Sequence, residues 1–152
     1  MLAYQLEHIF SYRAQLSAPQ VLGAMPGGVR VNFPIVGGEV TGPRLKASVQ
    51  AVGADFFNLR TDGVGILDVR ACLKTHDGAL IDVAYQGVGD LGEHGYEQFL
   101  AGELPPVLQL RTAPRMSCAH PDYLWVNRLQ CMAVGYIDMQ TVEVFYDVYA
   151  LR

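Results

Sequence analysis

Val64-Gly-Ile-Leu-Asp-Val-Arg-Ala-Cys-Leu-Lys-Thr75, the turn His76-Asp77-Gly78 and Ala79-Leu-Ile-Asp-Val-Ala-Tyr-Gln86 form two alternating runs about an Asp-Gly pair. Side chains of a strand point to opposite faces with a period of two. Leu67, Val69, Ala71 and Leu73 therefore share one apolar face, and Asp68, Arg70, Cys72 and Lys74 share the other. Asp-Gly suits a type I′ turn, whose central residues both need positive φ. The stretch predicts an antiparallel hairpin of 64–75 with 79–86. Because one face is apolar throughout, the Asp68/Arg70 face is turned either to water or to the inside of a barrel.

Outward from this hairpin the same period recurs. Strands are predicted at 2–13, 28–33, 45–52, 55–60, 107–112, 123–137 with a break inside it, and 142–151. On the first of these Leu2, Tyr4, Leu6, Phe10 and Tyr12 share a face, with His8 among them as a hydrogen-bonded core residue. Turn residues punctuate the runs at Pro26-Gly27-Gly28, Gly37-Gly38, Gly42-Pro43 and Asp62-Gly63. Only Glu93–Ala101 reads as helical, and Gly102 and Pro105-Pro106 stop it. The lack of a βαβ rhythm argues against a parallel doubly wound sheet. Long strands with little helix to cover their edges favour closure. The expected fold is all-β: a closed antiparallel β-barrel of about eight to ten strands with one short helix, forming a single domain over residues 1–152.

Composition narrows the function classes. Of 152 residues, 51% are hydrophobic and 17% charged, with 11 basic against 15 acidic side chains and a net charge of −4. The charged share is below the roughly 25% of an average domain. The apolar surplus must go to a core, a subunit interface or a cavity wall. No basic run exists for a nucleic-acid backbone. No apolar run approaches the roughly 18 residues of a membrane span. Three scattered cysteines and an N-terminus with Glu7 and no basic leader suit a cytoplasmic protein.

Motifs for common chemistries are weak. Gly87-Val-Gly-Asp-Leu-Gly92 matches a dinucleotide fingerprint in letters, but no parallel strand and helix flank it, so it reads as a loop. Ser117, Cys118, His120 and Asp122 crowd one segment without triad geometry. The four histidines lack metal-ligand spacing, so neither a metal nor another cofactor is expected. What stands out is polar residues on strands with an apolar opposite face: Asp68 and Arg70, then Arg111 beside Leu110, then Tyr123, Trp125 and Asn127 beside Leu124 and Val126. A guanidinium fork holds oxyanions, and a desolvated carboxylate such as Asp55 can act as general acid or base.

The order of eight short motifs resembles a bacterial family, the domain of unknown function 3237. They are Pro34-Ile-Val-Gly37-Gly38, Gly42-Pro43-Arg-Leu45, Gly53-Ala54-Asp55, Asp62-Gly63, Leu67-Asp68-x-Arg70, Thr75-x-Asp77-Gly78-Ala-Leu-Ile81, Arg111-Thr-Ala-Pro-Arg115 and Tyr123-x-Trp125-x-Asn127. The resemblance implies a small β-barrel similar to allene oxide cyclase and dirigent barrels, assembled into homo-oligomers. It also implies that Asp55, Asp68, Arg70, Arg111, Tyr123, Trp125 and Asn127 occupy recurring polar and aromatic positions. This chain departs from the pattern at Phe56, at Ala71 and near Met116-Ser117-Cys118.

The functional expectation is a cofactor-independent barrel enzyme of isomerase, cyclase or lyase type, acting on a small aromatic or polyketide-like carbonyl compound in the lumen. Arg70 and Arg111 would hold an oxyanion, Asp55 or Asp68 would shuttle the proton, and Tyr123, Trp125 and Asn127 would bind the ligand. Two alternatives use the same barrel: a non-catalytic lipocalin-like carrier of a small apolar metabolite, and an assembly protein whose apolar surplus lies between subunits.

Overall fold

The computed structural model describes residues 1–152. In chain order the elements are β1 (Leu6–Leu16), β2 (Gln20–Met25), β3 (Gly28–Thr41), β4 (Lys46–Leu59), β5 (Val64–Thr75), β6 (Leu80–Asp90), α1 (Gly95–Leu100), β7 (Val107–Thr112) and β8 (Arg115–Ser117). A 3-10 helix (Pro121–Arg128), β9 (Cys131–Asp138) and β10 (Glu143–Leu151) follow. Eight strands close a ring in the order β1-β10-β9-β7-β6-β5-β4-β3, completed by a β1–β3 ladder. Every ladder is antiparallel. Two further strands sit on this ring: β2 pairs with the first half of β3, and β8 with the first part of β6.

The hairpin is the most regular piece. β5 and β6 pair without a break from Val64 opposite Asp90 to Lys74 opposite Leu80. Other strands must bend to close the barrel, and extra residues in one strand supply the bend. Gly37-Gly38, expected as a turn, lies inside β3 at a register shift between Pro34 and Gly38. The expected strands 45–52 and 55–60 are one strand, β4, broken in register between Val49 and Gly53. Gly53 has φ +85, and a Cβ there would run into the Arg70 carbonyl of β5.

A bulge also corrects the first strand. Register shifts between His8 and Phe10, so that Ile9 and Phe10 are both buried and the alternation reverses. Phe10, Tyr12, Ala14 and Leu16 face the lumen, whereas Leu2, Tyr4, Leu6 and His8 are exposed. His8 bonds Ser11 on the surface and is not a core residue. The apolar surplus thus has more than one destination: most enters the barrel wall, while Val21, Leu22 and Met25 of β2 and Met132, Val134 and Tyr136 of β9 stay exposed.

The two barrel ends are closed differently. Near the Arg60–Val64 turn, Leu91 donates its N–H to the Gly63 carbonyl at 3.0 Å, and the strap 91–106 carrying α1 follows. Near the Thr75–Ala79 turn at the other end of the hairpin lies the 3-10 helix. No helix is long and apolar enough to cross a membrane.

Candidate functional site

The interior of the barrel is an apolar lumen with one charged side chain. Phe33, Asp55 and Val69 are partners across β3, β4 and β5, so Asp55 shares the inward register of two buried apolar neighbours. Its Oδ1 accepts the backbone N–H of Asp68 at 3.0 Å. Removal from water dominates its acidity: burial pushes the carboxyl up to about 7 from 3.8, although the Asp68 N–H pulls it down. The nearby charge of Asp68 raises it further and Arg30 lowers it slightly. The lining contains no cation.

Three tyrosines share this space. Tyr12 on β1 and Tyr146 on β10 are register partners, with rings stacked at 5.1 Å and 27°. Tyr85 on β6 meets the Tyr146 ring edge-on at 5.9 Å. The Tyr12 and Tyr85 hydroxyls are 2.6 Å apart, and either can donate to the other. Tyr146 Oη is buried without a hydrogen-bond partner. Burial raises the pKa of all three phenols, and the Asp55 charge adds to each rise. They stay protonated, and are hydrogen-bond donors throughout the ordinary pH range.

The three hydroxyls make a single hydrogen bond among themselves. Three phenols carry three O–H groups, and one hydrogen bond among them uses one. Tyr146 makes no hydrogen bond of normal geometry, although its hydroxyl lies near enough to that of Tyr85 for each to shift the other's acidity, and one hydrogen of the Tyr12/Tyr85 pair is also unused. A buried donor left unmade costs about 1–3 kcal/mol. Such groups are rare in folded proteins and call for an explanation. An acceptor atom delivered into the lumen would satisfy both.

The remaining cavity measures about 70 Å³. An apolar cavity of about 150 Å³ holds a benzene molecule, so the closed lumen admits about three heavy atoms. Leu91, Phe99, Leu104 and Pro105 of the strap form part of its wall. A ring-sized ligand needs this strap to move.

The other expected site residues lie elsewhere. Asp68, Arg70 and Arg111 are exposed on the outer face, and none forms an ion pair. The reason is the period of two: Leu67, Val69, Ala71 and Leu73, with Leu108 and Leu110, take the lumen. Their alternates must then face water. The Asp68–Arg70–Arg111 oxyanion site expected from sequence is therefore not assembled.

Tyr123, Trp125 and Asn127 are not on a strand. Pro121 at the start of the segment and His120 Nδ1, which accepts the Asp122 N–H, initiate the 3-10 helix. In that helix the three side chains diverge, and each braces the closed end of the barrel. Tyr123 donates to Asp77 Oδ1 at 2.9 Å, Arg44 stacks over Trp125 at 4.0 Å, and Asn127 clamps both the N–H and the carbonyl of Cys118. None of the three lines the lumen.

Tyr12, Tyr85 and Tyr146 are not among the site residues expected from the sequence, where Tyr12 is only a member of the apolar face of the first strand. The alternation already put Tyr85 on the same face as Val83, and Tyr146 between Val144 and Val148, so their inward direction was readable. That they meet Tyr12 was not, because these strands are joined only by barrel closure.

The model of the family described as "Protein of unknown function (DUF3237)" matches residues 4–151. A UPF0311 protein of Rhodopseudomonas palustris is 30% identical over 147 residues, covering 95% of each chain. Among solved structures, a beta-barrel like protein of Acinetobacter baumannii superposes with a TM-score of 0.83 at 26% identity, over 100% of this chain and 98% of that one. A structure named only as an enzyme from Penicillium herquei aligns with a TM-score of 0.69 at 16% identity, over 98% and 96% of the two chains. At that identity the likeness is one of fold.

Proposed function

We propose, for a chain that belongs to the DUF3237 family, a cofactor-independent enzyme that moves a proton on a small aromatic or polyketide-like carbonyl compound held in the barrel lumen. The carrying observation is the pairing of one desolvated carboxyl, Asp55, with two phenolic donors that lack acceptors. In this reading the substrate carbonyl oxygen accepts hydrogen bonds from Tyr146 and from the Tyr12/Tyr85 pair. Asp55 as carboxylate takes a proton from the carbon beside the carbonyl. The electron pair of that C–H bond moves to the oxygen, and the enolate is held by the phenols. In a substrate with a carbon–carbon double bond beside that carbon the enolate is a dienolate, and protonation by Asp55 at its far end shifts the double bond and isomerises the substrate. Where a second carbonyl lies within reach, the enolate carbon instead attacks it, the C=O π bond breaks, and the new alkoxide takes the proton from Asp55 as the ring closes.

Magnitudes support the assignment. A general base works best with an acidity near the working pH, contributing about 10²- to 10⁴-fold. Asp55 at about 7 meets that condition. Each donor aimed at a developing oxyanion adds about 10²- to 10³-fold in a water-poor site. Here the phenols replace Arg70 and Arg111 in the oxyanion role, and Asp55 alone takes the proton role.

The test is deuterium incorporation at the α-carbons of cyclohexanone in D2O, followed by NMR with the protein present. Wild type should exchange faster than buffer, and Asp55→Asn should lose at least 10²-fold of that excess while binding the ketone within threefold. The closed, small cavity favours one rival, a carrier of a small apolar metabolite. A carrier would show binding without exchange in wild type, and that result would overturn the catalytic reading.

A further inference from the structure

We infer that the lumen selects uncharged molecules bearing a hydrogen-bond-accepting oxygen and rejects carboxylates, with Asp55 as the selectivity element and Tyr146 as the oxygen receptor. The inference rests on the lumen being the ligand site proposed above, and goes further in setting the charge and polarity of what enters.

The argument is an inventory of the wall. From β1, β6 and β10 come three phenols, from β4 one carboxyl, and every other lining side chain is apolar. The charged groups near Asp55 are Asp68 on β5, which adds negative charge, and Arg30 on β3, whose influence is the weakest of those acting on it. A carboxylate ligand would shed its hydration, meet no guanidinium or ammonium, and face a second carboxylate. A neutral ketone or aldehyde sheds little hydration and gains the two free phenolic hydrogens. A hydrocarbon gains nothing from Tyr146 and leaves its hydroxyl unpaired.

Three probes of one ring size separate these cases: cyclohexanone, cyclohexane and cyclohexanecarboxylate, titrated at pH 8 by ligand-observed NMR. The ketone should bind at least tenfold more tightly than either of the others. Tyr146→Phe should narrow the preference for the ketone over cyclohexane at least threefold without changing cyclohexane binding, the remainder coming from the Tyr12/Tyr85 pair. Asp55→Asn should narrow the gap between ketone and carboxylate at least fivefold, a change that a merely structural role would not produce. Phe99→Ala, which trims the strap, is run alongside as a protein with more room. Comparable binding of carboxylate and ketone overturns the inference, as does a Tyr146→Phe protein whose preference for the ketone over cyclohexane equals that of wild type. Failure of the ketone to bind wild type and Phe99→Ala alike at millimolar concentration also overturns it. Ketone selectivity without α-proton exchange would sink the catalytic reading and leave this inference standing.

Discussion

Replacing Asp55 by Asn should make the protein more stable at pH 8 and change it far less near pH 4. The folded state holds this carboxyl at about 7, against 3.8 for an unperturbed aspartate. Between those limits the folded chain keeps a proton that the unfolded chain has released, so stability falls as pH rises through the window. Above it the whole penalty is present; below 3.8 it is absent. The full difference corresponds to about 4 kcal/mol. Asp55 is half-buried, and residual solvent contact screens the charge, so ~2 kcal/mol is the expected pH-dependent gain. For a chain of this size that is about 4–8 °C in Tm. Asn keeps an oxygen able to accept the Asp68 N–H and has no charge to desolvate. Urea unfolding of both proteins at pH 4.5, 6 and 8, with equal m-values, isolates the contribution, since every other titrating group cancels in the difference. A variant-minus-wild-type stability that is flat across this range would refute the claim that burial dominates the Asp55 environment.

Tyr146→Phe should leave stability unchanged or raise it by up to ~1 kcal/mol, because its hydroxyl has no partner to lose. Tyr85→Phe removes the bond to Tyr12 and should cost about 1 kcal/mol, so denaturant midpoints of the two variants should move in different directions. Arg70→Ala and Arg111→Ala should each stay within about 0.5 kcal/mol of wild type. Both should also keep ketone exchange within twofold, and a tenfold loss in either would restore the outer face as a site. Gly135→Ala would press a methyl into the Phe145 carbonyl and the Tyr146 ring, and should lower stability by at least ~2 kcal/mol with a visible change in the tyrosine near-UV dichroism.

The cost carried by Asp55 and the unpaired phenols has a functional sense. On the proposed reading, groups that would be more stable elsewhere are held in an apolar lumen for their altered acidity and free donors. The strap completes the picture. Leu91, Phe99, Leu104 and Pro105 form part of the wall of the roughly 70 Å³ cavity, so on the proposed reading the size of ligand admitted depends on how far this segment yields.

The chain's own order of residues determined the strands and the hairpin, because period-two alternation and Asp-Gly turns are local signals that need no partner to be read. It also determined that Leu67, Val69, Ala71 and Leu73 share a face, and left open which side of the wall that face would take. Closure of the ring decided it: eight strands enclose a volume small enough to be packed by apolar side chains, so Asp68, Arg70 and Arg111 were turned to water. Position-by-position parity failed at Ile9, and strand alternation failed again at Pro121-Asp122. A bulge and a helix start each depend on a few residues and reset the count for everything after them. The site itself is tertiary. Tyr12, Tyr85, Tyr146 and Asp55 come from four strands spread over most of the chain, and only closure of β1 onto β10 and β3 sets three phenols and a carboxyl around one apolar cavity.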